Sequence, residues 1–390
     1  MYAEERLQPL RTYQYRGIDR SPISRYVLTP YWNWAVTLFP LWMAPNLITL
    51  IGLGFMLAAL GVALHYTPDL VGPGPPWVYF FYAACLWVYS TLDNVDGKQA
   101  RRTKSSSPLG ELFDHGCDAL NCSIGGIVQT AAMGAGSSGY ALIVLGITFW
   151  AFYLPTWEEY HTGVLYLGYI NGPTEGILAA IGMMCLSGIY GPAIWTRTFG
   201  EQFPVYFPPS TWLHSVAIPH CAIVFFGVIF LGLYVPTCVI AVHRACRTKK
   251  QSFRVALLQL LPMGLVSAAA YIWLWSPYST IRVRHFALFA LAFGVGFGKM
   301  ATKIIYAHLT KRRFPYHSGL MFPLFAGAVL INIPLIVPIA PFITPTMELV
   351  YVWAWLVFAL VGYFQWSYHV INSFCNFLNI SCFTLKTKSK

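Results

Sequence analysis

Charge is scarce in this sequence. Asp, Glu, Lys and Arg make up 10% of its 390 residues, hydrophobic residues make up 57%, and the mean hydropathy is +0.56. A water-soluble chain carries about 25% charged residues, so the composition excludes an ordinary solvated surface and points to a bilayer. Other features are missing as well. The nine cysteines, at 85, 117, 122, 185, 221, 238, 246, 375 and 382, include no CxxC pair and are odd in number, which argues against a disulfide framework or a thiolate zinc site. No Walker A loop occurs, because Gly298-Lys299 lacks both the upstream glycine and the following hydroxyl. The Asp96-Gly97 step is no EF-hand: with Gly97 as its sixth residue, the first and twelfth are Leu92 and Thr103 instead of acids. The apolar runs are continuous rather than alternating, which disfavours an outer-membrane barrel. No internal repeat and no polar stretch long enough to bury a second core is visible.

What is present is a series of long apolar runs. A spanning helix needs roughly 20 apolar residues, and about ten such stretches fall near 45–66, 76–92, 108–136, 139–157, 176–195, 212–243, 254–275, 283–307, 319–342 and 349–375. The run from 212 to 243 is long for one span, with Pro219 and Pro236 as potential kinks. The expected fold is an all-α integral membrane bundle of about ten transmembrane helices. Residues 1–29 are polar, hold Arg6, Arg11, Arg16, Arg20 and Arg25, and lack the apolar run of a signal peptide. Tyr31 to Met43 is short and rich in aromatics, the pattern of an interfacial amphipathic helix. The expected organisation is a cytoplasmic arm and interfacial helix over 1–44, a transmembrane domain over 45–380 and a basic cytoplasmic tail over 381–390.

Net charge is +11, from 25 Lys plus Arg against 14 acids. The positive residues do not form a nucleic-acid stripe. They sit in the N-terminal arm, at Arg101-Arg102-Thr103-Lys104, from Arg244 to Arg254, at Lys311-Arg312-Arg313 and from Lys386 to Lys390. With ten spans and a cytoplasmic N-terminus, all of these fall on the cytoplasmic side, next to anionic headgroups; Arg282 and Arg284 fall outside.

Five of the fourteen acids lie between Asp93 and Asp118, at the junction of the second and third apolar runs. Carboxylates at membrane depth are costly and mark function by default. Asp93 and Asp96 are three apart, while Asp114 and Asp118 are four apart with Glu111 on the same face, so each set shares one side of a helix. Two consecutive helices joined by a short loop pack antiparallel, and their acidic faces converge. Converging carboxylates suit a hard divalent cation such as Mg²⁺, which is commonly held by carboxylates together with substrate phosphates. A pair of such ions can clamp a phosphoryl group in in-line displacement. Gly97 and Gly110 leave room for a ligand at the junction. Arg101 offers a phosphate-matching fork.

The pattern Asp-x2-Asp-Gly-x2-Ala-Arg-x8-Gly-x3-Asp-x3-Asp is complete in Asp93, Asp96, Gly97, Ala100, Arg101, Gly110, Asp114 and Asp118. It resembles the signature of the CDP-alcohol phosphotransferases (class I). Pro45-Asn46-Leu-Ile-Thr49, Trp157-Glu158-Glu159-Tyr160-His161, the overall length and the number of apolar runs are similar to the eukaryotic choline and ethanolamine phosphotransferases. The resemblance implies that Asp93, Asp96, Asp114 and Asp118 hold two Mg²⁺ or Mn²⁺ ions. It implies that Asn46, Gly97, Ala100, Arg101, Gly110 and Glu111 bind the CDP-alcohol, and that His115 is the general base. It further implies transfer of phosphocholine or phosphoethanolamine from CDP-choline or CDP-ethanolamine to diacylglycerol, with CMP released. A homodimer among membrane lipids is implied, in the endoplasmic reticulum or Golgi with the site facing the cytosol, and no nucleic-acid partner.

Other roles compete for several of these residues. The aspartates could pair with Lys98, Arg101 or Arg102, His115 could orient a carboxylate, and Asn46 could cap a helix. Glu158, Glu159 and His161 could recognise a cationic headgroup or face solvent. The headgroup could be another alcohol such as inositol. A transporter also places acids in a membrane, but the chain lacks the matched broken helices of inverted repeats.

Overall fold

A computed structural model describes residue 5 and residues 7–385. The expected tail residues Lys386 to Lys390, like Arg6, lie outside the described residues. Ten long helices follow a short N-terminal helical stretch. The first helix, α1 (Thr29–Ala35), continues a π-turn at Ser24–Leu28. The long helices are α2 (Pro45–Tyr66), α3 (Pro76–Thr103), α4 (Pro108–Ala132), α5 (Gly139–Thr162), α6 (Gly172–Tyr190), α7 (Ile218–Thr248), α8 (Phe253–Leu274), α9 (Phe286–Leu309), α10 (Gly319–Ile336) and α11 (Pro345–Leu378). Among the described residues, eight of them are long and apolar enough to cross a membrane. The two others, α3 and α4, are the helices that carry the acidic cluster.

Helix starts follow local chemistry. Proline stands first in α2, α3, α4 and α11, where its missing N–H is no loss. At α4 the Ser107 hydroxyl also accepts the Gly110 N–H at 3.2 Å. The proline expectation for the long run from 212 to 243 resolves simply. Pro219 sits in the first turn of α7, and Pro236 follows a π-turn at Phe230–Tyr234 that accommodates the carbonyl its ring would strike.

The bundle is organised around α9, of which 78% of the apolar stretch is buried, against 6% for α7 at the periphery. Small residues let α9 approach α4 closely. A Cβ on Gly294 would lie 2.1 Å from the Ser123 Cβ, and one on Gly298 3.0 Å from Leu120. This contact holds α4, the acidic helix, against the centre of the molecule.

The helices alternate in direction, so the end of α3, the starts of α2 and α4, and the ends of α5 and α9 share one end of the bundle, which also carries the 244–254 and 311–313 basic loops. Arg282 falls at the opposite end. There its guanidinium donates to the Ser137 carbonyl at 2.8 Å and stacks 4.6 Å from the Trp275 ring, so it is held by local structure.

Two features were not legible in the sequence. A short parallel pair joins β1 (Gly17–Asp19) to β2 (Leu165–Leu167), tying the N-terminal arm to the chain after α5. At the opposite end of the bundle, Glu348 is buried on α11. It accepts hydrogen bonds from Trp273 Nε1 (2.8 Å), Ser279 Oγ (2.6 Å), Thr280 N (2.9 Å) and Thr280 Oγ1 (3.1 Å). Four donors lose their partner in Glu348→Ala, so that variant is expected to be destabilised by about 2–3 kcal/mol and Glu348→Gln by less. The thermal midpoint of the detergent-purified protein measures this, and an unchanged midpoint in Glu348→Ala would contradict it.

Candidate active site

The acidic residues of α3 and α4 converge as their spacing requires. The Asp93 carboxyl lies against those of Asp114 and Asp118, and Asp96 lies against Asp114. Asp96 is buried and accepts a hydrogen bond from Thr49 on α2. Asp118 accepts one from the Tyr89 hydroxyl at 2.5 Å. Asp114, His115 and Asp118 each offer an atom within 4.8 Å of the others, all half-buried, so the cluster borders accessible space.

The donor set fits a hard cation. One oxygen each of Asp93 and Asp114 is buried with no hydrogen-bond partner, and buried polar atoms are rarely left so unless something else meets them. The rival reading, pairing with local basic side chains, is not realised by two of its three candidates. Lys98 donates to Asn33 Oδ1 at 2.8 Å, and Arg102 donates to the carbonyls of Val36 and Phe39 at 2.9 and 2.8 Å. Both are used to hold the α1 segment against α3. Arg101 is exposed and not drawn into the α1 contacts, and its Nη1 lies over the backbone at Gly97, 3.7 Å from where a Cβ would be.

The remaining motif residues gather at the same end. Ala100 lies on the last turns of α3, its carbonyl accepting the Ser105 N–H at 2.9 Å. A Cβ on Gly110 would be 3.7 Å from Asn46 Oδ1, so the starts of α2 and α4 meet there. Asn46 is not the helix cap, since Pro45 is the first helical residue and Ala44 holds the cap position. Its amide instead donates to the Cys382 carbonyl at 3.0 Å, and Met43 bridges Thr384. Residues 381–385 thus fold back onto the domain they follow.

Glu111 turns to a second cluster. With Glu159 of α5 and His308 of α9 it forms a triad whose ligand atoms lie within 4.8 Å of one another. Tyr13 of the N-terminal arm donates to Glu111, and its ring meets His308 edge-on at 6.3 Å. The alternative that Glu158, Glu159 and His161 face solvent is overturned: all three are buried, because the end of α5 is covered by the arm and by α7 to α9. His308 likewise faces protein. Sequence spacing gave no hint of this triad, because its members stand on three separate helices.

An apolar cavity of about 280 Å³ lies on the other side of α4. Leu53, Gly116, Leu120, Thr302, Tyr363 and Phe383 are among its walls.

One end of the polytopic helical bundle thus carries a carboxylate centre, a histidine and an exposed arginine. The profile of the family described as CDP-alcohol phosphatidyltransferase matches residues 42–200, which include the whole acidic cluster. Choline/ethanolaminephosphotransferase 2 of Arabidopsis thaliana is 38% identical over 305 residues, 77% of this chain and 76% of that protein. Choline/ethanolaminephosphotransferase 1 of Saccharomyces cerevisiae is 31% identical over 408 residues, covering 98% of this chain and 97% of that protein. Cholinephosphotransferase 1 of the same yeast is 34% identical over 362 residues, covering 90% and 84%. The chain belongs to the CDP-alcohol phosphotransferase family.

Proposed function

We infer that this chain is an integral-membrane enzyme that transfers phosphocholine or phosphoethanolamine from the CDP-alcohol to diacylglycerol, giving phosphatidylcholine or phosphatidylethanolamine and CMP. The observation that carries the reading is the convergence of Asp93, Asp96, Asp114 and Asp118 beside His115, at the end of the bundle where Arg101 is exposed.

Asp93, Asp96, Asp114 and Asp118 would hold two Mg²⁺ or Mn²⁺ ions, which would supply positive charge for the pyrophosphate and for the departing CMP. Asn46, Gly97, Ala100, Arg101, Gly110 and Glu111 surround the CDP-alcohol. Gly97 and Gly110 let the nucleotide approach the backbone, and Arg101 meets a phosphate as an exposed fork. His115 takes the proton of the diacylglycerol 3-hydroxyl through a ring nitrogen. The oxygen then attacks the phosphorus bearing the choline or ethanolamine, a new P–O bond forms, and the P–O bond to CMP breaks. An imidazole is suited to this near pH 7. The apolar cavity beyond Gly116 gives the lipid acceptor a route from the bilayer to the same helix that carries His115.

The site faces the cytosol in this reading, because the basic loops lie at its end of the bundle. Exposed Tyr26, Trp34, Leu38 and Trp42 suit the α1 segment to the membrane interface. The organisation into arm, transmembrane domain and tail, the endoplasmic reticulum or Golgi location and the homodimer are part of the reading through the family resemblance. Purified protein in vesicles containing diacylglycerol, offered CDP-choline and CDP-ethanolamine in competition, should form a phospholipid from at least one. Uptake of either nucleotide without product would instead indicate transport.

A further inference from the structure

The Glu111–Glu159–His308 cluster is unexplained by the phosphotransfer chemistry. Glu111 and Glu159 are both more than nine-tenths buried, and Glu111 Oε1 has no hydrogen-bond partner. Two carboxylates this close repel each other at low dielectric unless a proton or a cation neutralises them. The nearby ammonium of Lys249 is already taken, donating to the His161 carbonyl at 2.5 Å. The site is also walled by aromatic rings. Tyr13 closes over Glu111 and His308, and Tyr15, half-exposed, has Glu159, Glu111, Asp114 and Asp93 as its electrostatic neighbours. Tyr15 therefore lies within electrostatic reach of both the glutamates and the aspartate centre.

The separation matches a substrate. Glu111 precedes Asp114 by three residues, about 4.5 Å along the helix axis. In a phosphocholine or phosphoethanolamine group two carbons separate the ester oxygen from the cationic nitrogen, a reach of similar size. A phosphorus held by the aspartates and Arg101 places that nitrogen at the glutamates. An acid is a poor neighbour for a pyrophosphate but a good one for a cation, and ring faces favour quaternary ammonium.

We propose that Glu111 and Glu159, with the rings of Tyr13 and Tyr15, form the subsite for the cationic headgroup of the CDP-alcohol, resting on the function proposed above. Glu111 then belongs to the headgroup end of the substrate, not to its nucleotide. The N-terminal arm completes the subsite. It is fixed by Leu7 and Leu10, which pack against Leu109, Leu112, Ile305, Leu309 and Phe374, and by the β1–β2 pairing. The subsite selects a cation and rejects a neutral polyol such as inositol.

The test compares affinities of the metal-supplied, purified full chain for CDP-choline, CDP-ethanolamine and CDP. Glu159→Gln and Glu111→Gln keep side-chain size and remove charge. Each is expected to weaken both CDP-alcohols by about tenfold or more, while CDP, which lacks the headgroup, binds as in the wild type. Equal weakening of all three nucleotides would assign the glutamates a structural role, and unchanged affinities would overturn the proposal directly. Loss of a bound divalent ion from the Glu159→Gln variant without loss of CDP-choline affinity would make the cluster a metal site instead. A wild type that binds CDP-choline but forms no phospholipid would reject the proposed function itself, and the subsite with it.

Discussion

Replacing Asp118 with alanine is expected to lower turnover by about a thousandfold or more, with the protein still folded in detergent. Asp118 meets Asp93 across the α3–α4 interface and is held in place by Tyr89. Its removal opens one side of the carboxylate set. Charge neutralisation at a transferring phosphoryl group contributes several kcal/mol, and each 1.36 kcal/mol is a factor of ten in rate. Asp114→Ala should behave alike, since Asp114 faces Asp93, Asp96 and Asp118. Steady-state CMP release at saturating CDP-choline reads the effect. Activity within tenfold of wild type in both variants would remove these residues from the reaction centre.

His115→Ala is expected to lower turnover by about 10²- to 10⁴-fold, the range for loss of a general base, while CDP-choline binding remains. The two effects separate because, in the proposed reaction, His115 takes the acceptor's proton and does not hold the nucleotide. His115 lies within 4.8 Å of Asp114 and Asp118, so a merely orienting histidine would disturb metal affinity as well. The discriminating result is therefore the metal concentration for half-activity. If it is unchanged while turnover collapses, His115 is the base. If added metal restores the rate, its role is to position the aspartates.

The helices that carry the aspartate cluster were the legible part of this chain. Asp93, Asp96, Asp114 and Asp118 announce themselves because helical spacing puts them on two faces, and a bilayer tolerates such acids only for a reason. The glutamate cluster was not legible. Glu159 was readable as a solvent-facing acid, and nothing in the sequence brought His308 to it. Which way each points depends on the rotation of α5 and α9 in the bundle, and periodicity in nearly uniform apolar helices does not fix that rotation. The arm was similarly hidden. Tyr13 reaches Glu111 across 98 residues of sequence, and β1 pairs with β2 through three residues too few to show as strands. Asn46 read equally well as a cap or a ligand until the start of α2 placed Pro45 before it and Cys382 opposite its amide.

The central claim is that the aspartate centre performs a cation-dependent transfer to a lipid acceptor. The most direct measurement uses chelator-stripped protein in diacylglycerol vesicles, with CDP-choline and CDP-ethanolamine supplied and CMP and phospholipid quantified before and after Mg²⁺ or Mn²⁺ is added. The account predicts no product before addition and equal amounts of CMP and phospholipid after it. Full activity without the cation, or CMP released without matching phospholipid, would contradict it.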